Sequence, residues 1–550
     1  MELIDQHTKK IMEGCKARAK DAGLSFQDET LEYIVTNRDL LELSPKMMIP
    51  TFYDYWVHDV DVLKEKGKYE LYPSNPYETV INTRPAISFY NDNNPDWLNV
   101  MIFYHVLAHI DFFQNNLFFE HTWNYDFNAQ ALSDKRVISK LRAEKGRWVD
   151  YIIEFTRGID NIVGFYDELS DVNQPQATKD SKLLDFYFDI FLQKIKKVKT
   201  HEYIKEIERY NEFFKQGSNN QKAFFFQIYK QYPEFKALYN KHIDRDSSRK
   251  MDLIQYILKY SPFLNKDENN WMRTVIEIVR NTSLFFQPQI RTKIMNEGWA
   301  SFWHETLFLE DDRIEGHEVD FAKVHAFVTS MPRVGLNPYA LGMRLFNYIK
   351  EMVDQGKYSL EFRKINNKEQ RCKFNRSTNK GNDFIFKIRK NFSDYSFINT
   401  FVDQDFISLH KLFVVGKRLN TGKGVWEYYV KSRRTEDYRE MLTNTLYHPP
   451  YIKVDQDKSD DSNLYLNHYF EGIPLVNEFI SNTMLGIEYL WGGPVQLETS
   501  ELEAVPSSNE NQFAMNYWDP IVEEDEKSKL EWRRVLYKMD KKKLNRKILD

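Results

Sequence analysis

The stretch FYHVLAHIDFFQNN, residues 103–116, decides how the rest of the chain is read. Its apolar residues recur at helical rather than strand spacing. Within it, His105 and His109 lie four residues apart. On a helix that spacing places the second imidazole one turn beyond the first and only about 40° around the axis. Leu or Phe at these positions would be ordinary core. Two buried imidazoles need polar partners. Two readings therefore stand: a pair of histidines sharing one metal ion, as in helical His-x-x-x-His sites, or two hydrogen-bonded histidines at a helix–helix contact. Asp111 is turned about 200° from His109 on a regular helix, so it is not a ligand of the same ion. Val106 occupies the position where an HExxH metallopeptidase carries its general-base Glu.

Outward from this stretch, helical spacing dominates residues 96–356. The expected helices cover 96–119, 133–158, 182–213, 220–241, 250–260, 265–283, 288–309, 318–330 and 338–354. Residues 1–95 open with an amphipathic helix near 4–21, with Ile4, Ile11, Cys15 and Ala19 on or near one face. Pro, Asn and alternating Ile, Val and Tyr over 44–95 suggest loops and short strands. Residues 357–394 are polar and basic and read as an exposed excursion. Over 395–510, LFVVGKRL, GVWEYYVKS, YIKVDQD, NLYLNHYF and GPVQLETS read as strands, with RRTEDYREMLTNTLY and IPLVNEFISNTMLGIEYLW as helices between them. Residues 511–550 read as a charged, solvated helix or tail. The expected fold is mainly α with a smaller C-terminal α+β unit.

Composition bounds the function. The chain has 550 residues, 15% of them aromatic, and a formal charge of −5. A near-neutral balance argues against a nucleic-acid partner. Two cysteines without a CxxC pair argue against a disulfide framework or a thiolate zinc site. No apolar run is long enough for a membrane span, and the N-terminus lacks a signal-peptide core, so a cytoplasmic location is expected. Dinucleotide-binding, P-loop and serine-hydrolase motifs are absent.

A second constellation lies in FFQPQIRTKIMNEGWASFWHETLF, residues 285–308. Glu297 and His304 are seven apart, so they face the same way but are separated by about 10.5 Å along the axis. One suits a ligand and the other a neighbouring or substrate-facing role. Glu297 offers the carboxylate that completes a His-His-Glu set. Its alternative is a buried carboxylate paired with Arg291, Lys293 or another cation. Gly298 permits close approach of another helix. In MPRVGLNPYALGMRLFNYI, residues 331–349, Asn337 suits a helix cap, and Tyr339, Arg344 and His325 could line a cleft.

These words resemble the SpoVR family, the stage V sporulation protein R-like proteins. The resemblance is carried by QPQIRTKIMNEGWASFWHETLF at 287–308, by YETVINTRPAISFYNDNNPDWLNVMIFYHVLAHIDFFQNNLFF at 77–119, and by PRVGLNPYALGMRLF at 332–346. NFSDYSFINTFV and the later YLNHYFEGIPL and IEYLWGGPVQLET are similar to the family's C-terminal region. The resemblance covers about residues 20–500; residues 124–250 and 357–392 depart from it.

The family implies links to sporulation, spore cortex formation and stress. Its genomic neighbours imply a serine protein kinase and a von Willebrand-like stress protein as partners. The family's His-x-x-x-His and NEGWA-x-x-x-His words carry over onto His105, His109, Glu297 and His304. They are also similar to the helical layout of zinc metallopeptidases, which implies a metallopeptidase-like helical core. The expectation is zinc or another divalent metal held by His105, His109 and Glu297, and hydrolysis of an amide in a peptide or cell-wall precursor. His304, Glu305 or Asp111 would replace the missing general base. The alternative is a non-catalytic regulatory or scaffold protein in a kinase-linked complex.

Overall fold

The computed structural model describes residues 2–27, 29–36, 78–122, 127–163, 183–184, 186–215, 220–240, 251–332, 335–420, 425–446, 448–470, 473–504 and 530–549. The fold is mainly helical with a C-terminal sheet unit, as its sequence predicts. It forms two compact units. One combines Met1–Arg157 with Thr274–Pro449, and the other combines Gly158–Arg273 with Pro450–Asp550.

In the first unit, helix α1 (Gln6–Asp21) begins where the Asp5 carboxylate accepts a hydrogen bond from the Thr8 N–H at 2.7 Å. It buries Met12, Cys15 and Ala19. Strands β1 (Glu2–Leu3), β2 (Thr30–Val35), β3 (Glu78–Ile81) and β4 (Ala86–Asn91) form one sheet in the order β1-β2-β4-β3. The pair β2–β4 is parallel and the others antiparallel. Of the loop-and-strand segment expected over 44–95, residues 44–77 lie outside the described residues, and 78–95 contain β3 and β4.

Helix α2 (Asp96–Asn115) is the centre of this unit, with every residue from Leu98 to Phe113 buried. A helix buried on all faces must satisfy its polar side chains inside the protein. It is shorter than the expected 96–119. Asn116 stops it: its side chain donates to the Arg389 carbonyl at 2.7 Å and accepts from the Phe118 N–H at 3.0 Å. The chain then continues as a tight 3₁₀ turn over Leu117–Thr122.

Helix α3 (Asn270–Arg291) contains Pro288, which the sequence reading placed at the start of the next helix. Pro288 has no N–H, and the helix runs only three residues further. The next helix, α4 (Lys293–Leu309), starts after Thr292. The buried first-turn N–H groups of Ile294 and Met295, which have no partner within the helix, donate to the Asp394 carboxylate, each at 2.8 Å. Asp394 thus caps α4 from a hundred residues away.

Helix α5 (Glu318–Val328) buries Phe321 alone among its residues. Phe321 stacks on Phe308 of α4 at 4.1 Å between ring centres. Helix α6 (Pro338–Asp354) starts at Asn337, whose side chain accepts from the Tyr339 and Ala340 N–H groups. Helix α4 lies against both α2 and α6. Its contact with α6 is backbone to backbone. A Cβ on Gly298 would come within 2.4 Å of the Gly342 Cα, and a Cβ on Gly342 within 2.2 Å of the Ile294 carbonyl oxygen.

The segment 357–394, read as an exposed excursion, divides. Short helices Leu360–Arg363 and Lys368–Lys373 fit that reading, being largely exposed. Helix α7 (Gly381–Asn391) does not, because it buries Ile385, Ile388 and Arg389 against the core. Its apolar residues recur at helical spacing beneath a basic outer face, and composition alone hid them. Helix α8 (Asp394–Phe401) follows and carries the capping aspartate. Strands β5 (Val414–Asn420) and β6 (Val425–Ser432) pair as a hairpin.

The second unit holds a five-stranded sheet in the order β11-β10-β9-β8-β7, from β7 (Tyr451–Val454), β8 (Leu464–Tyr469), β9 (Val495–Ala504), β10 (Leu530–Asp540) and β11 (Lys543–Leu549). Strands β8 and β9 are parallel and joined through helix α9 (Asn477–Trp491). Residues 511–550 were expected as a solvated helix or tail. Of these, 530–549 instead make the outer hairpin of the sheet. Val535, Tyr537 and Met539 are its buried positions, alternating as a half-buried strand requires. The same unit contains an aromatic cluster in which Phe186, Tyr187, Phe191, Phe224 and Phe235 are fully buried.

Candidate metal centre

Helices α2 and α4 carry the site. Because α2 is buried all round, His105 and His109 are almost wholly enclosed, at 6% and 5% exposure. Their rings sit 4.6 Å apart, edge to face. From α4, Glu297 approaches His109, with Oε2 at 3.6 Å from Nε2. One donor atom from each of His105, His109 and Glu297 lies within 4.8 Å of the others. Ligand atoms around a tetrahedral zinc stand about 3.3 Å apart. The three side chains are thus close to a shared position.

Neighbouring groups orient both imidazoles. His109 Nδ1 lies 2.9 Å from the Asn296 side-chain oxygen. An amide oxygen only accepts, so Nδ1 carries a proton, and Nε2 is the nitrogen that faces Glu297. His105 Nδ1 lies 2.8 Å from Nδ1 of His304. The second nitrogen of His304, Nε2, lies 2.9 Å from His325 Nδ1, and His325 Nε2 is 3.4 Å from a Glu305 oxygen. Both ring nitrogens of His304 are therefore engaged. Tyr339 lays its ring over His105 at 6.0 Å, and its hydroxyl bonds to the Glu297 carboxylate.

The electrostatics follow from burial. Desolvation, reinforced by the neighbouring imidazoles, holds His105 and His304 well below the usual imidazole value, so both are neutral. Desolvation pushes the Glu297 carboxyl up to about 7 against the opposing Tyr339 hydrogen bond and Lys293 charge. Its Oε2 is buried without a hydrogen bond. A buried carboxylate oxygen left this way is costly unless a cation or proton occupies it. Imidazole nitrogens and a carboxylate are the donor set that suits zinc when no thiolate is present. The residues fit a divalent ion.

A cleft of about 540 Å³ opens onto this cluster. His105, Glu297, His304, His325 and Tyr339 lie on its wall, and Phe327, 79% exposed, stands at its edge. Arg344 is not among its lining residues.

Asp111 lies elsewhere. Its carboxylate is fully buried and accepts from the Ser25 N–H at 2.7 Å and the Trp299 indole N–H at 2.8 Å, with Arg389 Nε at 3.4 Å. Desolvation dominates there and raises it to about 6. It joins three segments and does not line the cleft. Sequence reasoning brought together His105, His109, Glu297 and His304, and the structure does the same. It missed Asn296 and Asp394. Asn296 stood inside the NEGWA word, but one residue's side-chain direction is not readable from a word. Asp394 acts across a hundred residues and left no local signal.

A family model described as "SpoVR like protein" matches residues 2–448. The chain belongs to the SpoVR family. The SpoVR match begins earlier and ends earlier than the shared words implied, so YLNHYFEGIPL and IEYLWGGPVQLET fall beyond it. All the site residues lie within it. The chain is also similar to the uncharacterized protein YcgB of Escherichia coli (strain K12), at 22% identity over 496 residues, covering 84% of this chain and 86% of the relative. No solved structure matches the chain. Among the described residues no helix is long and apolar enough to cross a membrane.

Proposed function

We propose that this SpoVR family member binds one divalent metal ion, zinc by donor chemistry, through His105, His109 and Glu297. The observation that carries this reading is the buried Glu297 Oε2, without a hydrogen bond and 3.6 Å from Nε2 of His109, beside His105. An ion there would supply Lewis acidity at the floor of the cleft. The fitting reaction class is metal-assisted hydrolysis of an amide in a peptide or cell-wall precursor, on a metallopeptidase-like helical core. The proton-handling role passes to the groups around the cluster, because Val106 cannot take it. His304 lines the cleft, Glu305 lies 3.4 Å from the cleft-lining His325, and Asp111 stands outside it.

The test is metal content and affinity. Purified chain dialysed against zinc should retain one ion per molecule, and chelator should lower its melting temperature. His109→Ala and Glu297→Gln should abolish both effects. A wild-type chain that holds no ion, with a melting temperature indifferent to chelator, would overturn the reading.

Val106 also supports a second reading. It is fully buried where a hydrolase of this layout needs its carboxylate. In that reading the chain is a non-catalytic regulatory or scaffold protein whose ion is structural. Its partners would be a serine protein kinase and a von Willebrand-like stress protein. A pull-down with wild type and His105→Ala separates the two. Equal capture with intact function supports the scaffold.

A further inference from the structure

The wall of the cleft has a charge pattern of its own. Lys293 is the only Lys or Arg among its lining residues, and Glu297 is the only carboxylate. Both sit on α4, where Lys293 lies one turn before Glu297, about 40° around the axis and about 6 Å along it. Lys293 is exposed. Its charge reaches the Glu297 carboxylate, but it makes no ion pair with any described residue. Glu297 belongs to the proposed metal set. With a divalent ion held there, the ion, Lys293 and Glu297 together leave the cleft at about +2, and the neighbouring histidines can only add to that. A concave site of one sign concentrates a ligand of the other.

The other polar groups on the wall are already committed. The Asn337 side chain donates to the Val328 and Ser330 carbonyls and accepts from the Tyr339 N–H. The Tyr339 hydroxyl bonds to Glu297, and His304 and His325 lie against each other at 2.9 Å. Lys293 is therefore the group left to meet the charged end of a ligand. Much of the remaining wall is apolar: Phe327 and Val328 from α5, Leu336 and Pro338 from the turn into α6, and Met101 and Ile102 from α2. An apolar wall with one uncommitted polar group orients a ligand that is apolar at one end and charged at the other.

We propose that Lys293 is the specificity-determining residue of this cleft: it binds the free carboxylate of a peptide's C-terminal residue, whose apolar side chain lies against Phe327 and Leu336. An extended residue advances about 3.5 Å. A carboxylate one residue beyond an amide over the metal position therefore falls within reach of a lysine one helical turn away. The substrate class narrows from amides in general to N-acylated amino acids and peptides that end in a free carboxylate. An amide in the interior of a chain offers Lys293 no anion.

This inference rests on the metal reading above and names the substrate of the same site. Its test is binding to the zinc-loaded full chain, followed by ligand-observed NMR titration, with N-acetyl-phenylalanine and its uncharged C-terminal amide as probes. Zinc content is measured on the same samples. Wild type should bind the acid about 10-fold more tightly than the amide, the worth of one charge-assisted hydrogen bond. Lys293→Met should remove that preference by weakening the acid alone, and Lys293→Arg should keep it. Phe327→Ala should weaken both probes together, by about 3- to 10-fold. A zinc-loaded wild type that binds acid and amide equally, or binds neither, overturns the inference and leaves the metal reading standing. So does an acid preference that survives in Lys293→Met. A wild type that holds no zinc removes the metal reading itself.

Discussion

Gly298 and Gly342 meet backbone to backbone, with room for no atom between them. The contact brings α6 against α4 and sets Tyr339 at the entrance to the cluster. Gly298→Ala would place its methyl carbon 2.4 Å from the Gly342 backbone. The helices must separate, which costs about 1–3 kcal/mol. Thermal or urea unfolding of G298A and G342A should show that loss, and each variant should also bind the ion more weakly because Tyr339 moves with α6.

Asn296 offers a second test. Asn296→Ala removes the acceptor that holds the His109 proton on Nδ1. The fold should persist, because the residue is half-buried at the helix surface. Metal affinity should fall roughly 10- to 100-fold. Asn296→Asp keeps an acceptor and should hold the affinity near or above wild type. Chelator competition reads both.

Asp111 should behave as a structural carboxylate. Asp111→Ala strands Arg389 and the Trp299 indole in the core, at a cost of about 3–5 kcal/mol. The molecules that still fold should bind metal as wild type does. A large loss in the unfolding midpoint with unchanged metal per folded chain is the expected pair of results.

Asp394 gives the stability a pH dependence. Burial pushes its carboxyl up to about 7 from an ordinary 3.8, despite two N–H donors. Between those values the folded chain holds a proton that the unfolded chain has released. Stability therefore falls as pH rises from about 4 to 7, with a slope near 1.4 kcal/mol per pH unit for one such group. Asp394→Asn should flatten that part of the profile in denaturant melts at a series of pH values.

Much of this fold was legible in the chain. The strands from β5 to β9 and helices α1, α2 and α6 stand where apolar spacing put them, because each buries one face or all faces in a regular period. His105, His109 and Glu297 were legible as a set because helical spacing and three short words converge on them. The remainder depended on tertiary context. Pro288 was read as a beginning and is near an end. Helix α7 was hidden by its basic outer face. Strands β10 and β11 were hidden by charged alternate positions, which a sheet with one solvated face requires. The roles of Asn296 and Asp394 depend on where side chains point after folding, and no local pattern encodes that.

The capping of α4 by Asp394 has a consequence for synthesis. At ribosomal rates of about 5–20 residues per second, the 187 residues between His109 and Asn296 occupy roughly 10–40 seconds. Another hundred pass before Asp394 emerges to seat the N-terminus of α4. Through that interval the nascent chain carries a helix that is buried on all faces in the folded protein, without the α4 side chains that meet its two histidines. An ion at the proposed site would meet its full set of side chains only after α4 has emerged, so binding there would follow the synthesis of both helices.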